Sequence, residues 1–119
     1  MVNSKEASFA YLETLSDEQL CAACQLGNRN AEEVLAARYH RLVRSIARPY
    51  FLAGGDNEDL LQEGMVGLIK AMREYDPHQA ASFCTFAEVC IRRRLYSVLK
   101  SASSGKHQPL NLSLIHISE

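Results

Sequence analysis

Proline and glycine interrupt this chain at few places, and between the interruptions apolar residues recur at every third or fourth position. With three prolines and six glycines in 119 residues, most of them falling between periodic segments, the whole chain reads as helices. The expected fold is all-α, a compact helical bundle of about four main helices.

The first helix is expected to begin at Ser16. Ser16-Asp17-Glu18-Gln19 has the form of a capping box, in which the serine hydroxyl and the glutamine side chain satisfy free amides at a helix start. Gly27, suited to a left-handed cap, ends it. The second helix is expected from Asn30, with Leu35, Tyr39, Leu42, Val43 and Ile46 as its apolar stripe. Pro49 lacks an amide to donate and is expected to kink or end it, and Gly54-Gly55 is a break. A third helix starts near Asp56 or Asn57, with Leu60, Leu61, Met65, Leu68, Ile69 and Met72 expected on one face, and ends at Tyr75-Asp76-Pro77. After a loop, Ser82 caps a fourth helix that runs to about Ser101.

Length and composition narrow the function classes. A chain of 119 residues is about one domain. Its 47% hydrophobic and 23% charged residues exclude collagen-like, low-complexity and fully disordered classes. No apolar run approaches the roughly 18 residues that span a bilayer, and Met1 to Glu6 lack a signal-peptide pattern, so a cytoplasmic location and no membrane association are expected. The net charge of -1 hides alternating blocks. Arg38, Arg41, Arg44 and Arg48 form an acid-free basic block between two acidic ones, and the chain after Pro77 is basic again. Such blocks suit partners of opposite sign.

The fourth helix is more than amphipathic. With about 100° per residue, Phe83, Ala87, Ile91, Leu95, Val98 and Ala102 share one apolar face. Thr85, Phe86, Val89, Arg92, Arg93, Tyr96 and Lys100 share another, where cations alternate with aromatic and apolar groups and Glu88 lies elsewhere. Cations meeting phosphates and rings meeting unstacked bases suit single-stranded or distorted DNA. A solvated face with snorkelling arginines is the alternative.

Cys21-Ala22-Ala23-Cys24 has zinc or redox spacing, but lies inside a predicted helix without two further ligands nearby. Cys84 and Cys90 lie on different arcs. Packed, reduced thiols are expected, with no metal and no cofactor; a Cys/His metal protein is the alternative. His40, His78, His107 and His116 are scattered, no catalytic triad, paired-carboxylate site or glycine-rich phosphate loop is present, and an enzyme is disfavoured.

The third and fourth helices carry a resemblance. Asp59-Leu60-Leu61-Gln62-Glu63-Gly64-Met65-Val66-Gly67-Leu68-Ile69-Lys70-Ala71 is similar to the most characteristic motif of the bacterial sigma-70 family. Tyr75-Asp76, Ser82-Phe83-Cys84-Thr85-Phe86-Ala87 and Ile91-Arg92-Arg93-Arg94-Leu95 follow at the family's spacing. The resemblance covers roughly residues 16 to 111 and is to the family's second conserved region. Phe86-Ala87-Glu88-Val89-Cys90-Ile91 and Lys106-His107-Gln108-Pro109-Leu110-Asn111 resemble most the sigma-H subfamily of endospore formers.

The resemblance implies a region 2 helical domain that takes part in transcription initiation, docking on core RNA polymerase and recognising and melting the promoter minus-ten element. Asp59, Gln62, Glu63, Met65 and Ile69 match positions that dock on the coiled coil of the polymerase's largest subunit. Gly64 and Gly67, each costing about 1 kcal/mol against Ala in a helix, suggest close approach of another helix. Phe86 matches a base-stacking aromatic, Arg92 a phosphate contact, and Arg93 a base-reading position at the upstream duplex edge. Val89, Tyr96 and Lys100 complete the expected DNA-binding set, facing that edge and the non-template single strand. An anti-sigma factor is a further partner of the kind the family takes. Primary factors carry two tryptophans where this chain has Val89 and Cys90, and this chain has no Trp, which favours a stringent alternative factor.

The expected organisation is an N-terminal extension over 1–15, the region 2 domain over 16–102, a linker over 103–111 toward a missing third region, and a tail over 112–119. That last octamer resembles translated sequencing-adapter read-through, so a truncated chain with a non-native end is expected, with an unstructured terminus as the alternative. A helical protein-interaction adaptor that never touches DNA is the rival reading of the whole.

Overall fold

The computed structural model describes residues 4–52 and 57–103, which form α1 (Ser4–Leu12), α2 (Asp17–Gln25), α3 (Arg29–Leu52), α4 (Asn57–Glu74) and α5 (Phe83–Ser103). No strand occurs among the described residues. The fold is all-α, with the four expected helices as α2 to α5 and a shorter one before them. Gly54-Gly55, Asp56, the linker beyond Ser103, the stretch from Lys106 to Asn111, and the octamer at the end lie outside the described residues, as does Ala102 as far as its side chain is concerned.

Helix α4 is the hub, and its two glycines set how closely it packs. A Cβ added at Gly64 would lie 2.7 Å from a Val43 methyl of α3. One added at Gly67 would lie 3.1 Å from the Cys90 carbonyl oxygen, the Ile91 Cα and the Arg94 Cβ of α5. A side chain at Gly64 needs the Val43 side chain to shift, and one at Gly67 needs the α5 backbone to give by a few tenths of an ångström, so the close approach expected from the sequence is what the fold contains. Around this seam Leu60, Leu68, Ala71 and Met72 of α4 meet Val43, Ile46 and Tyr50 of α3 and Phe83, Ala87, Ile91 and Leu95 of α5, all buried. Full burial of a Leu, Ile or Phe side chain contributes about 1.5–3 kcal/mol.

Short α2 is held by polar clips. Ser16 closes the predicted capping box: the Gln19 amide donates to Ser16 Oγ (3.1 Å) and the Ser16 amide to Gln19 Oε1 (2.9 Å). Gly27, at φ 99°, ends the helix, with the Asn28 amide reaching the Ala23 carbonyl (3.0 Å) and the Gly27 amide that of Cys24 (2.9 Å). From the first turn of α2, Asp17 accepts from Arg38 (2.9 Å) and from the Tyr39 hydroxyl on α3, and Glu18 accepts from the Phe83 amide that opens α5 (3.2 Å). Gln25 at the other end donates to the carbonyls of Met72 (3.0 Å) and Tyr75 (2.9 Å), which have no partner within α4.

Several local expectations are corrected. α3 starts at Arg29, capped by Asn28, whose side chain accepts from the Ala31 amide (3.0 Å), and not at Asn30. It neither breaks nor ends at Pro49 but runs on to Leu52. The proline falls in the last turn, where buried Tyr50 and half-buried Phe51 pack on the core and hold the helix past the lost hydrogen bond. The six apolar residues expected on one face of α4 divide: Leu60, Leu68 and Met72 are buried, whereas Leu61, Met65 and Ile69 are only half-buried. On α5 the buried line is Phe83, Ala87, Ile91, Leu95 and Leu99, and Val98 is half-buried. Four-residue steps advance the line about 40° each time, so it winds around the helix and leaves Val98 behind. The span expected as an extension contains α1, whose last residue, Leu12, is in the core.

Candidate functional site

The side of α4 turned away from the seam carries a regular ridge. Asp59, Gln62, Val66, Ile69 and Arg73 follow one another at alternating three- and four-residue steps, the spacing with which a helix packs along a coiled coil. Asp59, Gln62, Val66 and Arg73 are exposed and Ile69 half-exposed, with half-buried Met65 beside it. Val66 is 40% exposed, a large apolar side chain facing outward between Gln62 and Ile69. It was not among the residues expected to dock; its place on the ridge, four residues after Gln62 and three before Ile69, was the signal that could have found it.

Glu63 behaves differently from the other four candidate docking residues. It sits on the flank of α4 facing α5, where its carboxylate holds Arg94 through Nε at 2.8 Å and Nη2 at 2.7 Å. The structure therefore places Asp59, Gln62, Met65 and Ile69 together on or beside the ridge and turns Glu63 toward its own fold.

The DNA-binding candidates share one arc of α5. Val89, at 38% exposure, Arg93 and Lys100 are exposed; Phe86, Arg92 and Tyr96 are half-buried. Phe86 is positioned from below by Tyr75, ring centroids 5.6 Å apart, and Tyr75 in turn stands edge-on to Phe83 at 5.5 Å. The Tyr75 hydroxyl donates to the Ala81 carbonyl (2.9 Å), which fixes the loop before α5. Ser82 caps that helix as expected, accepting from the Thr85 amide (3.3 Å). Lys100 Nζ lies over the Tyr96 ring, 5.9 Å from its centroid. The arc is less purely cationic than the helical wheel suggests, because Arg92 reaches Glu88 one turn back (3.3 Å).

Between α4 and α5, above Gly67, lies an open groove of about 310 Å³ lined by Lys70, Glu74, Cys90, Arg93, Arg94 and Ser97. A second, of about 370 Å³, runs between α3 and α4 beside Arg44, Phe51, Glu58 and Leu61. The two grooves flank the ridge.

Cys21 is buried and Cys24 and Cys90 are half-buried, whereas Cys84 is exposed, so the expectation of packed thiols fails there. Burial, reinforced by Cys24, pushes the Cys21 thiol up to about 12; burial also pushes Cys24 up to about 11. Both thiols therefore stay protonated at neutral pH, unlike an activated nucleophile. Among the described residues no group of three or more His, Cys, Asp or Glu side chains is placed to hold a metal ion, and no helix is long and apolar enough to cross a membrane.

Comparison with known proteins bears on the same helices. Residues 35–104 match the family model for sigma-70 region 2. The chain is 43% identical over 97 residues to the RNA polymerase sigma-H factor of Bacillus subtilis, a match that covers 82% of this chain and 44% of that protein, and the same figures hold for that of Bacillus licheniformis. It is 33% identical over 91 residues to the RNA polymerase sigma-E factor of Clostridium acetobutylicum, covering 72% of this chain and 39% of that protein. The chain thus spans less than half the length of these relatives.

Proposed function

Because the chain belongs to the sigma-70 family, resembles its sigma-H factors and carries its region 2, we propose that it docks on core RNA polymerase through α4 and recognises and opens the promoter minus-ten element through α5. The observation that carries this reading is the arc of α5 on which Phe86, Val89, Arg92, Arg93, Tyr96 and Lys100 lie together, with Glu88 beside it.

Docking uses the α4 ridge. Val66 and Ile69 supply apolar area, with Gln62 and then Asp59 before them toward the start of the helix, against a coiled coil of the polymerase's largest subunit. Glu63 contributes by fixing Arg94 and with it the α4–α5 angle, rather than by direct contact.

Promoter opening needs no covalent step, and the chain is not an enzyme in this reading; binding energy offsets unstacking. Phe86 offers one ring face to an unstacked base while Tyr75 supports the other side. Arg92 contacts a phosphate by exchanging its Glu88 partner for it. Arg93, exposed, reads a guanine edge in the base pair that stays duplexed. Val89 is a smaller wedge than an indole, so opening depends more on sequence, as in a stringent alternative factor. Tyr96 and Lys100 extend the track along the helix. The site of action is the cytoplasm, where the polymerase works, and an anti-sigma factor covering the same ridge or arc is a further partner.

The test mixes the chain with core polymerase and measures binding to a fork-junction minus-ten probe that keeps the upstream base pair. Capture by core is expected. Arg92→Ala should weaken all sequences alike and lower the salt slope. Arg93→Ala should cost about 1–3 kcal/mol on the preferred sequence only. Phe86→Ala should remove a stacking platform worth about 1–3 kcal/mol per base. Silence of all three, or no capture by core, would leave the helical adaptor as the better reading.

A further inference from the structure

Both ends of the joint between α4 and α5 are held from α2. One side-chain nitrogen of Gln25 donates to the Met72 carbonyl (3.0 Å) and to the Tyr75 carbonyl (2.9 Å), where α4 has run out of its own amides. About two turns earlier on α2, Glu18 accepts from the amide of Phe83, the first residue of α5 (3.2 Å). Asp17 beside it holds the Tyr39 hydroxyl, and the Tyr39 ring meets the Phe83 ring edge-on at 5.3 Å. Between the two braces stands Tyr75, with its carbonyl held by Gln25 and its hydroxyl on the Ala81 carbonyl. Tyr75 is also the ring beneath Phe86, 5.6 Å between centroids. The load path is short: a base pressed on Phe86 bears on Tyr75, and Tyr75 bears on Gln25. Gln25 itself is exposed, whereas Leu20 and Cys21 carry the buried face of α2. The whole of α2 lies before residue 35, where the match to the region 2 family model begins.

We propose that Gln25 is a positioning residue for capture of the unstacked base: by holding the Tyr75 backbone it keeps the ring beneath Phe86 in place before DNA arrives. The inference rests on the promoter-opening reading above and assigns part of that function to a helix away from the DNA-binding arc. A platform that is already ordered gives up less conformational freedom when a base lands on it. Without the Gln25 amide the two carbonyls turn to water, Tyr75 gains conformers, and each capture has to order it again. Gln25 acts through Tyr75 and carries no charge, so its loss should leave the phosphate contacts of α5 as they are.

Variants of the full chain, each assembled with core polymerase, test this on single-stranded minus-ten probes, either intact or with one abasic site at each position in turn. The position where an abasic site weakens the wild-type complex but not the Phe86→Ala complex marks the base on the platform. Gln25→Met keeps the length of the side chain and removes its donor. It should weaken the intact probe by about two- to tenfold, the worth of one hydrogen bond, and have no effect on the probe that lacks the marked base. Capture by core and the slope of log affinity against log salt should not change. In a Phe86→Ala background Gln25→Met should cost nothing further. Gln25→Lys restores a donor at the C-terminal end of α4, where a cation is favoured, and should bind the intact probe as wild type does. If Phe86→Ala weakens the intact probe while Gln25→Met leaves it unchanged, or if the two losses multiply in the double variant, Gln25 does not position the platform and the promoter reading survives. A loss with Gln25→Met that is the same on the probe without the marked base overturns the proposal as well, because the effect is then on the fold as a whole. If Phe86→Ala itself changes nothing, there is no platform, and the stacking step and the role of Gln25 fall together.

Discussion

The two sides of α4 share one backbone and obey different rules. The inner side, at Gly64, Gly67, Leu68 and Ala71, is filled to the point where one added carbon collides with a neighbour. The outer side, at Asp59, Gln62, Val66 and Ile69, touches water. One helix thus separates what holds the fold from what is available to a partner, and substitutions on the two sides should fall into separate classes. Inner changes should move stability and binding together; outer changes should move binding alone.

The largest effect that would sharpen this contrast is Leu68→Ala. Leu68 is fully buried, and its truncation should destabilise by about 2–5 kcal/mol in chemical denaturation. A loss under about 1 kcal/mol would break the claim that the inner side carries the fold. Next comes Gly64→Ala, where a gain of about 1 kcal/mol in helix propensity opposes an overpacking cost of about 1–3 kcal/mol. A net loss is expected, and the same change should cost less in a Val43→Ala background, because Val43 supplies the atom at 2.7 Å. Glu63→Gln tests the border between the sides. The Arg94 pair is about a third exposed at each partner, so its loss should cost no more than about 1 kcal/mol, less at high salt. Smallest in stability is Gln62→Ala, expected within about 0.5 kcal/mol of wild type while competing less well for core polymerase. Undiminished competition would remove Gln62 from the docking surface.

The helix boundaries were legible at three caps with their own chemistry, whereas Asn28, which caps α3 through its side chain, was passed over for Asn30. Ser16 with Gln19, Gly27, and Ser82 with Thr85 each carry the hydrogen bonds that their residue types announce. Gly64 and Gly67 announced the seam for a similar reason, since helices rarely retain a glycine that packing does not require. What failed was the assignment of faces on α4. Its large apolar residues outnumber what one face can bury, so grouping them put half-buried Leu61, Met65 and Ile69 on the same face as buried Leu60, Leu68 and Met72. The small residues Gly64, Gly67 and Ala71 lie on one arc and mark the inner side better. Pro49 did not end the helix, because the packing of Tyr50 carries α3 on to Leu52. The Glu63–Arg94 and Arg92–Glu88 pairs, and the groove holding Lys70 near Arg93, depend on how helices meet or on which rotamer a side chain takes, and neither is visible in residue spacing. α1 has no apolar rhythm to detect and is placed by Leu12 reaching the core.

The clips on α2 bear on the order in which the molecule assembles. A nine-residue helix is below the roughly 12–15 residues at which isolated helices become even marginal. Its partners lie far along the chain: Asp17 reaches 21 and 22 residues to Arg38 and Tyr39, Gln25 reaches 47 and 50 to the end of α4, and Glu18 reaches 65 to the start of α5. Each closure forfeits chain entropy that α2 cannot recover until the far partner is in place. α4 and α5, joined by a short connection, need no such wait. α2 is therefore expected to order late, as a latch across helices that have already met, and its amides should be the ones that exchange through the smallest openings.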